Sequence, residues 1–218
     1  MFDIIYNFGV WNKQLFYLIN HNTNIGIFPY LLQYISLPFF IANFAFYYLV
    51  ACAYFYLHLK KIQNDFLRQQ KFWIIYDQLV SIGIIYALFG FIYAALKFSV
   101  NLPRPFCSLP LDSFTTIANI AYERCLSSFP SAHTGLALLM TYFCWQYLNR
   151  FWQVIAVIIN LLVGLSRISL AMHYPADVIY SLIIAIIVIF LGNIVHKLLK
   201  TIIFKKIGEY LYNLIKGK

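Results

Sequence analysis

The stretch ADVIYSLIIAIIVIFLGNIVHKL, residues 176–198, is apolar over nearly its whole length. About 20 such residues in a helix are enough to cross the hydrocarbon core of a bilayer. Four further stretches have this length and character, and we place them at residues 38–59, 72–96, 131–149 and 151–171. None of them alternates apolar and polar residues as membrane barrel strands do, and in lipid a helix satisfies its own backbone hydrogen bonds. The sequence therefore predicts an all-α, polytopic membrane helix bundle with five spans.

The composition excludes an ordinary soluble protein. Of the 218 residues, 62% are hydrophobic and 11% are charged, whereas soluble domains have about 25% charged residues. The chain holds 18 Tyr and 21 Phe, and many lie near the ends of the five stretches, where interfacial aromatics are found. We interpret the membrane part as one domain, residues 37–198.

The first 36 residues give a weaker signal. A stripe of apolar residues at helical spacing is opposed by Asn7, Asn12 and Lys13, and its members are Ile4, Phe8, Trp11, Leu15 and Ile19. This pattern predicts an amphipathic helix at the membrane interface for residues 1–36, and a sixth span near the N-terminus stays open as the alternative. Asp3 and the scattered asparagines do not fit a cleavable signal sequence.

Positive charge is distributed unevenly along the chain, whose net charge is +9. If the five spans alternate in direction, eleven cations share one side of the membrane: Lys60, Lys61, Arg68, Lys71, Arg150, Lys197, Lys200, Lys205, Lys206, Lys216 and Lys218. By the positive-inside rule that side is the cytoplasm, and Lys97, Arg104, Arg124 and Arg167 then face away from it. We attribute the net charge to topology and anionic lipid rather than to nucleic acid, and we expect residues 199–218 to form a basic amphipathic tail.

Three short clusters bring together cations, histidines, a hydroxyl and a carboxylate: Lys97-x6-Arg104-Pro105, Pro130-Ser131-Ala132-His133 and Ser166-Arg167-x5-His173-x3-Asp177. Arginine offers a phosphate a planar fork, and lysine offers it a point charge. Pro130 suits the start of a helix, whose free N–H groups, with the Ser131 hydroxyl, can bind an anion. A carboxylate four residues after a histidine, across a break between two spans, can orient the imidazole. Although Lys97 or His133 alone would be an ordinary interfacial residue, the three clusters together predict a phosphate site.

In their order and spacing, the clusters resemble the signature of the type 2 phosphatidic acid phosphatase (PAP2) superfamily. The resemblance covers roughly residues 72–198, and it departs from the usual Pro-Ser-Gly-His at Ala132. An ordinary helical position tolerates alanine, so this departure concerns the fine geometry of the anion site, and its effect on the rate stays open. The resemblance implies a PAP2-like fold and a lipid phosphatase that needs neither a metal nor another cofactor. The sequence has no acidic or Cys/His cluster with metal-ligand spacing, which agrees with this expectation.

The resemblance also implies a role for each motif residue. His173 is the expected nucleophile and forms a phosphohistidine, while Asp177 fixes its tautomer. His133 is the expected general acid for the leaving oxygen and then the base that activates water. Four residues are expected to bind the phosphate oxygens: Lys97, Arg104, Ser131 and Arg167.

A site at the bilayer surface implies an amphiphilic substrate. Undecaprenyl pyrophosphate, phosphatidylglycerol phosphate, phosphatidic acid and the phosphates of lipid A are candidates, and the motifs do not separate them. The compact chain favours a bacterial cytoplasmic (inner) membrane enzyme whose active site faces the periplasm or the cell exterior. Cys107 and Cys125 both fall in the external loop, roughly residues 98–130, so either a disulfide or two free thiols fit.

Two other classes of protein remain as alternatives. A transporter or channel would carry ionisable residues through the depth of the bundle, but outside the clusters Asp77 is the only acidic residue within a predicted span. A catalytically inactive phospholipid-binding protein would have no need of both histidines and Asp177. The oligomeric state is not predicted.

Overall fold

Helices dominate the computed structural model, which describes residues 6–8 and 10–216. The helices are α1 Trp11–Thr23, α2 Phe28–Ser36, α3 Ile41–Lys60, α4 Asp65–Val100, α5 Pro105–Ser108, α6 Ala132–Cys144, α7 Arg150–Ser169, α8 Pro175–Leu199 and α9 Lys205–Lys216. A π-helical segment, Lys200–Phe204, joins α8 to α9. Within the described ranges, the β pairing consists of one isolated bridge between Pro103 and Leu126. The predicted all-α class is confirmed.

Among the described residues, four helical runs are long and apolar enough to cross a membrane. They are α3, α4, α7 and the run Pro175–Lys216, which contains α8 and α9. They correspond to four of the five predicted spans. In α3 the buried residues are Phe44 and Leu59, and its large apolar side chains are otherwise mostly exposed, as expected for a helix solvated by lipid.

The predicted span 131–149 is wrong in length. Its helix, α6, has 13 residues and continues in a short 3₁₀ turn, so the α-helical part is about 20 Å long against a hydrocarbon core of about 30 Å. The Gln153 side-chain amide, in the first turn of α7, donates to the carbonyls of Trp145 and Leu148, both at 3.2 Å. Asn149 then caps α7 through its side chain. These side-chain contacts satisfy the end of α6 before it reaches the length of a span.

The N-terminal helices α1 and α2 have 13 and 9 residues, and neither is long enough to cross a bilayer by itself. Trp11, a member of the predicted apolar stripe, is 63% exposed, whereas Asn12, one of the polar residues opposed to the stripe, is buried. Ile4, which was predicted to belong to the stripe, lies outside the described residues. The face of α1 that packs against protein therefore combines Asn12 with Phe16 and Asn20, and Ile19 of the predicted stripe also contacts the core.

The backbone packs in two compact units. The first contains the described part of residues 1–41 together with residues 91–186, and α7 is its central helix, in contact with α1, α2 and α6. At Gly164 a Cβ atom would lie 2.8 Å from Val178 Cγ1, and small residues permit such close contact between membrane helices. A buried core surrounds the C-terminal end of α7: Phe16, Phe106, Leu109, Phe114, Ile168, Leu170, Ala171 and Met172.

The second unit contains residues 42–90 and 187–218. Its core includes Leu59, Phe72 and Tyr212, so α9 packs against α3 and α4. Gly192 of α8 allows close approach to α4, since a Cβ atom there would lie 2.5 Å from Ile85 Cγ1. The residues predicted to form the basic amphipathic tail include α9, which packs within this unit.

Candidate active site

The third sequence cluster lies at the turn between α7 and α8. Ala171 adopts a left-handed backbone, with φ of 56°, and the N–H groups of Met172 and His173 donate to the Arg167 carbonyl at 3.0 and 3.1 Å. These bonds satisfy the end of α7 as a left-handed helix cap does. A non-glycine residue in this conformation costs on the order of 1 kcal/mol, and such strain is concentrated at functional sites. The turn places Arg167 and His173 at the same end of α7.

Two side chains satisfy the first N–H groups of α8. Pro175 occupies the first helical position, where its missing N–H costs nothing. Asp177 Oδ2 accepts a hydrogen bond from the Tyr174 N–H at 2.9 Å, as in a capping box. Asn12 Oδ1, from α1, accepts one from the Ala176 N–H at 2.9 Å. The N-terminal helix thus caps the helix that carries Asp177.

The carboxylate of Asp177 is held from several sides. It accepts hydrogen bonds from the Tyr6 hydroxyl at 2.6 Å and from the Ser128 hydroxyl at 2.5 Å, besides the one from Tyr174. His173 Nδ1 lies 3.4 Å from Asp177 Oδ2, which is longer than a well-formed hydrogen bond. Burial raises the pKa of Tyr6, and the nearby Asp177 carboxylate raises it further, so its phenol remains a donor.

His173 is buried and uncharged at neutral pH. Burial lowers its pKa to about 3, although the neighbouring Asp177 acts in the opposite direction. Because desolvation penalises the charged form, the imidazole keeps a lone pair across the physiological range. A neutral imidazole beside a fixed carboxylate can act as a nucleophile or as a base.

The first cluster is anchored to the segment that precedes α6. Lys97, in the last turn of α4, donates from Nζ to the Ser127 carbonyl at 2.8 Å. Ser127 has a left-handed backbone, with φ of 88°. The ammonium group is therefore held at the end of its helix by a strained loop residue.

The loop that carries Arg104 is joined to the same segment. The Arg104 N–H donates to the Cys125 carbonyl at 2.8 Å, and the Ser128 N–H donates to the Leu102 carbonyl at 2.9 Å. A disulfide links Cys107 to Cys125, which decides between the two states that the sequence left open. These contacts fix the backbone on both sides of Arg104.

Two guanidinium groups in the site each have a buried N–H group that is available to a ligand. Arg104 Nη1 lies 2.9 Å from Glu123 Oε2, and burial lowers the pKa of Arg104 while Glu123 opposes that change. In the described structure, the Nε atoms of Arg104 and Arg167 are buried without a hydrogen-bond partner. Buried donors of this kind indicate a site for an anion.

Ser131, the N-cap residue of α6, is fully buried. Its hydroxyl lies 2.9 Å from Thr134 Oγ1, its N–H donates to the Asp177 carbonyl at 3.3 Å, and its carbonyl accepts from Ser181 Oγ at 2.6 Å. These contacts fix the start of α6 against α8. The N–H groups of the first turn, which have no partner within the helix, are held in place with it.

His133 follows in the first turn of α6, and its ring centroid lies 5.9 Å from that of Phe40. Four other groups of the site interact with it electrostatically: Arg167, His173, Lys97 and Arg104. The structure thus brings all seven predicted site residues into one region of the first unit. Within the described residues, no group of three or more His, Cys, Asp or Glu side chains could hold a metal ion.

Several residues of this site were not found from the sequence. Tyr6 and Ser128 hold Asp177, Asn12 caps α8, and Glu123 pairs with Arg104. Each lies outside the three clusters, and no local pattern distinguishes it from other polar residues. Asn12 carried a partial signal, because it is one of the polar residues opposed to the apolar stripe of the N-terminal segment.

Known proteins resemble this chain in sequence and in fold. The family model of the PAP2 superfamily matches residues 78–200, more than half of the chain. The chain is 39% identical over 89 residues to undecaprenyl-diphosphatase BcrC of Bacillus subtilis (strain 168), a match that covers 41% of this chain and 42% of that protein. The crystal structure of Aquifex aeolicus LpxE is similar with a TM-score of 0.58, over 84% of this chain and 94% of that one, at 20% identity. The similarity to LpxE concerns the fold.

Proposed function

This chain belongs to the PAP2 superfamily, and from that premise we propose that it hydrolyses a lipid phosphate or diphosphate through a phosphohistidine, without a metal ion. The observation that carries the proposal is the buried, neutral His173 beside an Asp177 that three further donors hold in place. This pair lies among cations with spare hydrogen-bonding capacity. The arrangement supports attack on phosphorus.

In the proposed reaction, Asp177 keeps the proton of His173 on Nδ1, which leaves the Nε2 lone pair to attack phosphorus. A P–N bond forms while the bond from phosphorus to the leaving oxygen breaks, and His133 gives that oxygen a proton. Water then attacks the phosphohistidine, His133 takes a proton from it, and His173 leaves with its electron pair. Inorganic phosphate is released, and both histidines return to their starting states.

Three cations stabilise the negative charge of the transferring phosphoryl group in this proposal: Lys97, Arg104 and Arg167. Preorganised donors of this kind supply the largest part of many rate enhancements, because they are aimed before the reaction begins. The N–H groups at the start of α6, positioned by Ser131, complete the proposed anion site.

A polyprenyl diphosphate is the first substrate to test, because the matched segment is 39% identical to an undecaprenyl-diphosphatase. We expect the purified protein, with EDTA present, to release phosphate from undecaprenyl pyrophosphate faster than from phosphatidylglycerol phosphate, phosphatidic acid or lipid A. Phosphate release at each lipid concentration is the measurement. If a folded preparation releases no phosphate from any of them, the result favours a transporter or an inactive phospholipid-binding protein.

We further propose a bacterial cytoplasmic membrane location, with the site facing away from the cytoplasm. By the positive-inside rule, the side of the membrane with the eleven cations is the cytoplasmic side. α6 begins at the site, with His133, and α7 ends there, with Arg167. Together the two helices therefore leave the site and come back to the same side of the membrane, even though α6 is short.

Labelling of single cysteines tests this orientation. In a background with Cys52 and Cys144 changed to serine, Tyr122→Cys in spheroplasts should react with a membrane-impermeant thiol reagent, because Tyr122 is 89% exposed. Lys206→Cys should react only after permeabilisation. The reverse pattern would invert the proposed orientation.

Glu123 is expected to compete with the substrate for Arg104, because its carboxylate contacts the same guanidinium that the phosphate needs. We expect Glu123→Gln to lower KM several-fold with little change in kcat, and to strengthen inhibition by inorganic phosphate. Asp112→Asn, which removes an exposed carboxylate of the same loop, is the matched control for net charge. A higher KM in Glu123→Gln would instead mean that Glu123 positions Arg104 for binding.

A further inference from the structure

The second unit contains a cavity of about 500 Å³ between the N-terminal part of α4, the end of α8 and the π-helical segment. This volume lies in the range of small-molecule sites, roughly 300–1,000 Å³. None of its lining residues belongs to the three sequence clusters. The cavity is therefore a feature that the proposed phosphatase reaction leaves unused.

One wall of this cavity carries charge. Lys200 Nζ lies 2.8 Å from Asp77 Oδ1, and His196 Nε2 lies 3.2 Å from the same oxygen. Lys205 lines the same cavity. Two lysines against one carboxylate leave an excess of positive charge, whatever the protonation of His196. The site therefore favours an anion.

The π-helical segment explains how both lysines reach one cavity. In an α-helix, residues five apart are rotated by roughly 140° from each other and lie on different faces. Here the Lys205 N–H bonds to the Lys200 carbonyl, and an i→i+5 bond places the two residues nearly above one another. The Tyr76 hydroxyl donates to the Phe204 carbonyl at 2.9 Å and holds the segment. Such π segments are rare and are found frequently at functional sites.

The remaining wall is largely apolar and includes Trp73, Ile74, Val80 and Phe204. Tryptophan is enriched where a membrane protein meets the lipid headgroups. A cavity lined by both basic groups and apolar side chains matches a phosphate headgroup joined to acyl chains. Inorganic phosphate would use the lysines and leave the apolar wall without a partner.

We propose that this cavity binds an anionic phospholipid, with its phosphate on Lys200 and Lys205 and an acyl chain against Trp73. The site is separate from the proposed reaction, so a test of it needs no catalytic activity.

Thermal melting of the purified full-length protein tests the proposal. Short-chain phosphatidylglycerol should raise the melting temperature by roughly 5 °C at saturation, and phosphatidylcholine of the same chain length should raise it much less. Lys205→Gln should lose at least half of the shift. Lys206→Gln, which makes the same charge change at a neighbour outside the cavity lining, should keep it. Equal loss in the two variants, an equal shift with phosphatidylcholine, or the full shift with inorganic phosphate alone would overturn the proposal.

A second measurement leaves the lysines unchanged. In a protein with Trp11, Trp145 and Trp152 changed to phenylalanine, phosphatidylglycerol with brominated acyl chains should quench Trp73 fluorescence at lower concentration than brominated phosphatidylcholine. Equal quenching by the two lipids would show contact with bulk lipid and would overturn the proposal, even if Lys205→Gln failed to fold.

Discussion

His173→Ala is expected to lower the rate of phosphate release by roughly 10⁴-fold or more, because loss of a nucleophile removes the covalent route altogether. Initial rates on the lipid that the wild-type protein hydrolyses best provide the measurement. His58→Ala, which removes an exposed histidine of α3, should keep wild-type activity. Activity that survives in a pure preparation of His173→Ala would contradict the nucleophile assignment.

The covalent intermediate distinguishes His173 from His133. With a ³²P-labelled substrate that has a good leaving group, His133→Ala should accumulate a phosphoenzyme, since the first step then needs little acid assistance while the second still lacks its base. His173→Ala should show none. The steady-state rate of His133→Ala is expected to fall by roughly 10²- to 10⁴-fold. If His173→Ala were labelled and His133→Ala were not, the two roles would be reversed.

The fold class could be predicted from the sequence because lipid leaves few choices. Long apolar stretches must be helical in a bilayer, and four of the five predicted spans are present among the described residues. The stretch 131–149 was predicted to be a full span because hydropathy does not record where a helix stops. In α6 that point depends on the Gln153 amide of the following helix, a contact between side chain and backbone that leaves no periodic signal.

Only the site residues that belong to motifs of fixed spacing could be predicted from the sequence. Lys97, Arg104 and His173 belong to clusters, whereas Tyr6 and Ser128 reach Asp177 from 171 and 49 positions away in the chain. Contacts at such separations depend on how α1 and the loop before α6 pack, which single-sequence patterns do not encode. The segment predicted to lie at the membrane interface therefore turned out to supply a cap for α8 and a donor to Asp177.

Asp177→Asn is expected to lower kcat by roughly 10³- to 10⁴-fold with a much smaller change in KM. The carboxylate can only accept a hydrogen bond from His173 Nδ1, whereas an asparagine amide can donate to it and stabilise the wrong tautomer. The lone pair would then lie on Nδ1, and Nε2 would carry the proton. Because Asp177 makes no proposed contact with the phosphate, binding should be largely retained, and steady-state kinetics across substrate concentrations measures both constants.

Tyr6→Phe removes one hydrogen bond to the Asp177 carboxylate and leaves the charge of that carboxylate unchanged. A hydrogen bond to a charged group contributes about 1.5–3 kcal/mol, so loss of the 2.6 Å bond from the Tyr6 hydroxyl should lower kcat by roughly 10- to 100-fold through a looser Asp177. Tyr17→Phe is the matched control, because the Tyr17 hydroxyl contacts Ser113 at 3.3 Å and not Asp177. This variant should keep kcat close to the wild-type value. Tyr6 acts by positioning Asp177, so Tyr6→Phe and Asp177→Asn combined should cost little more than Asp177→Asn alone. Independent losses that multiply in the double variant would mean that Tyr6 serves the reaction by another route.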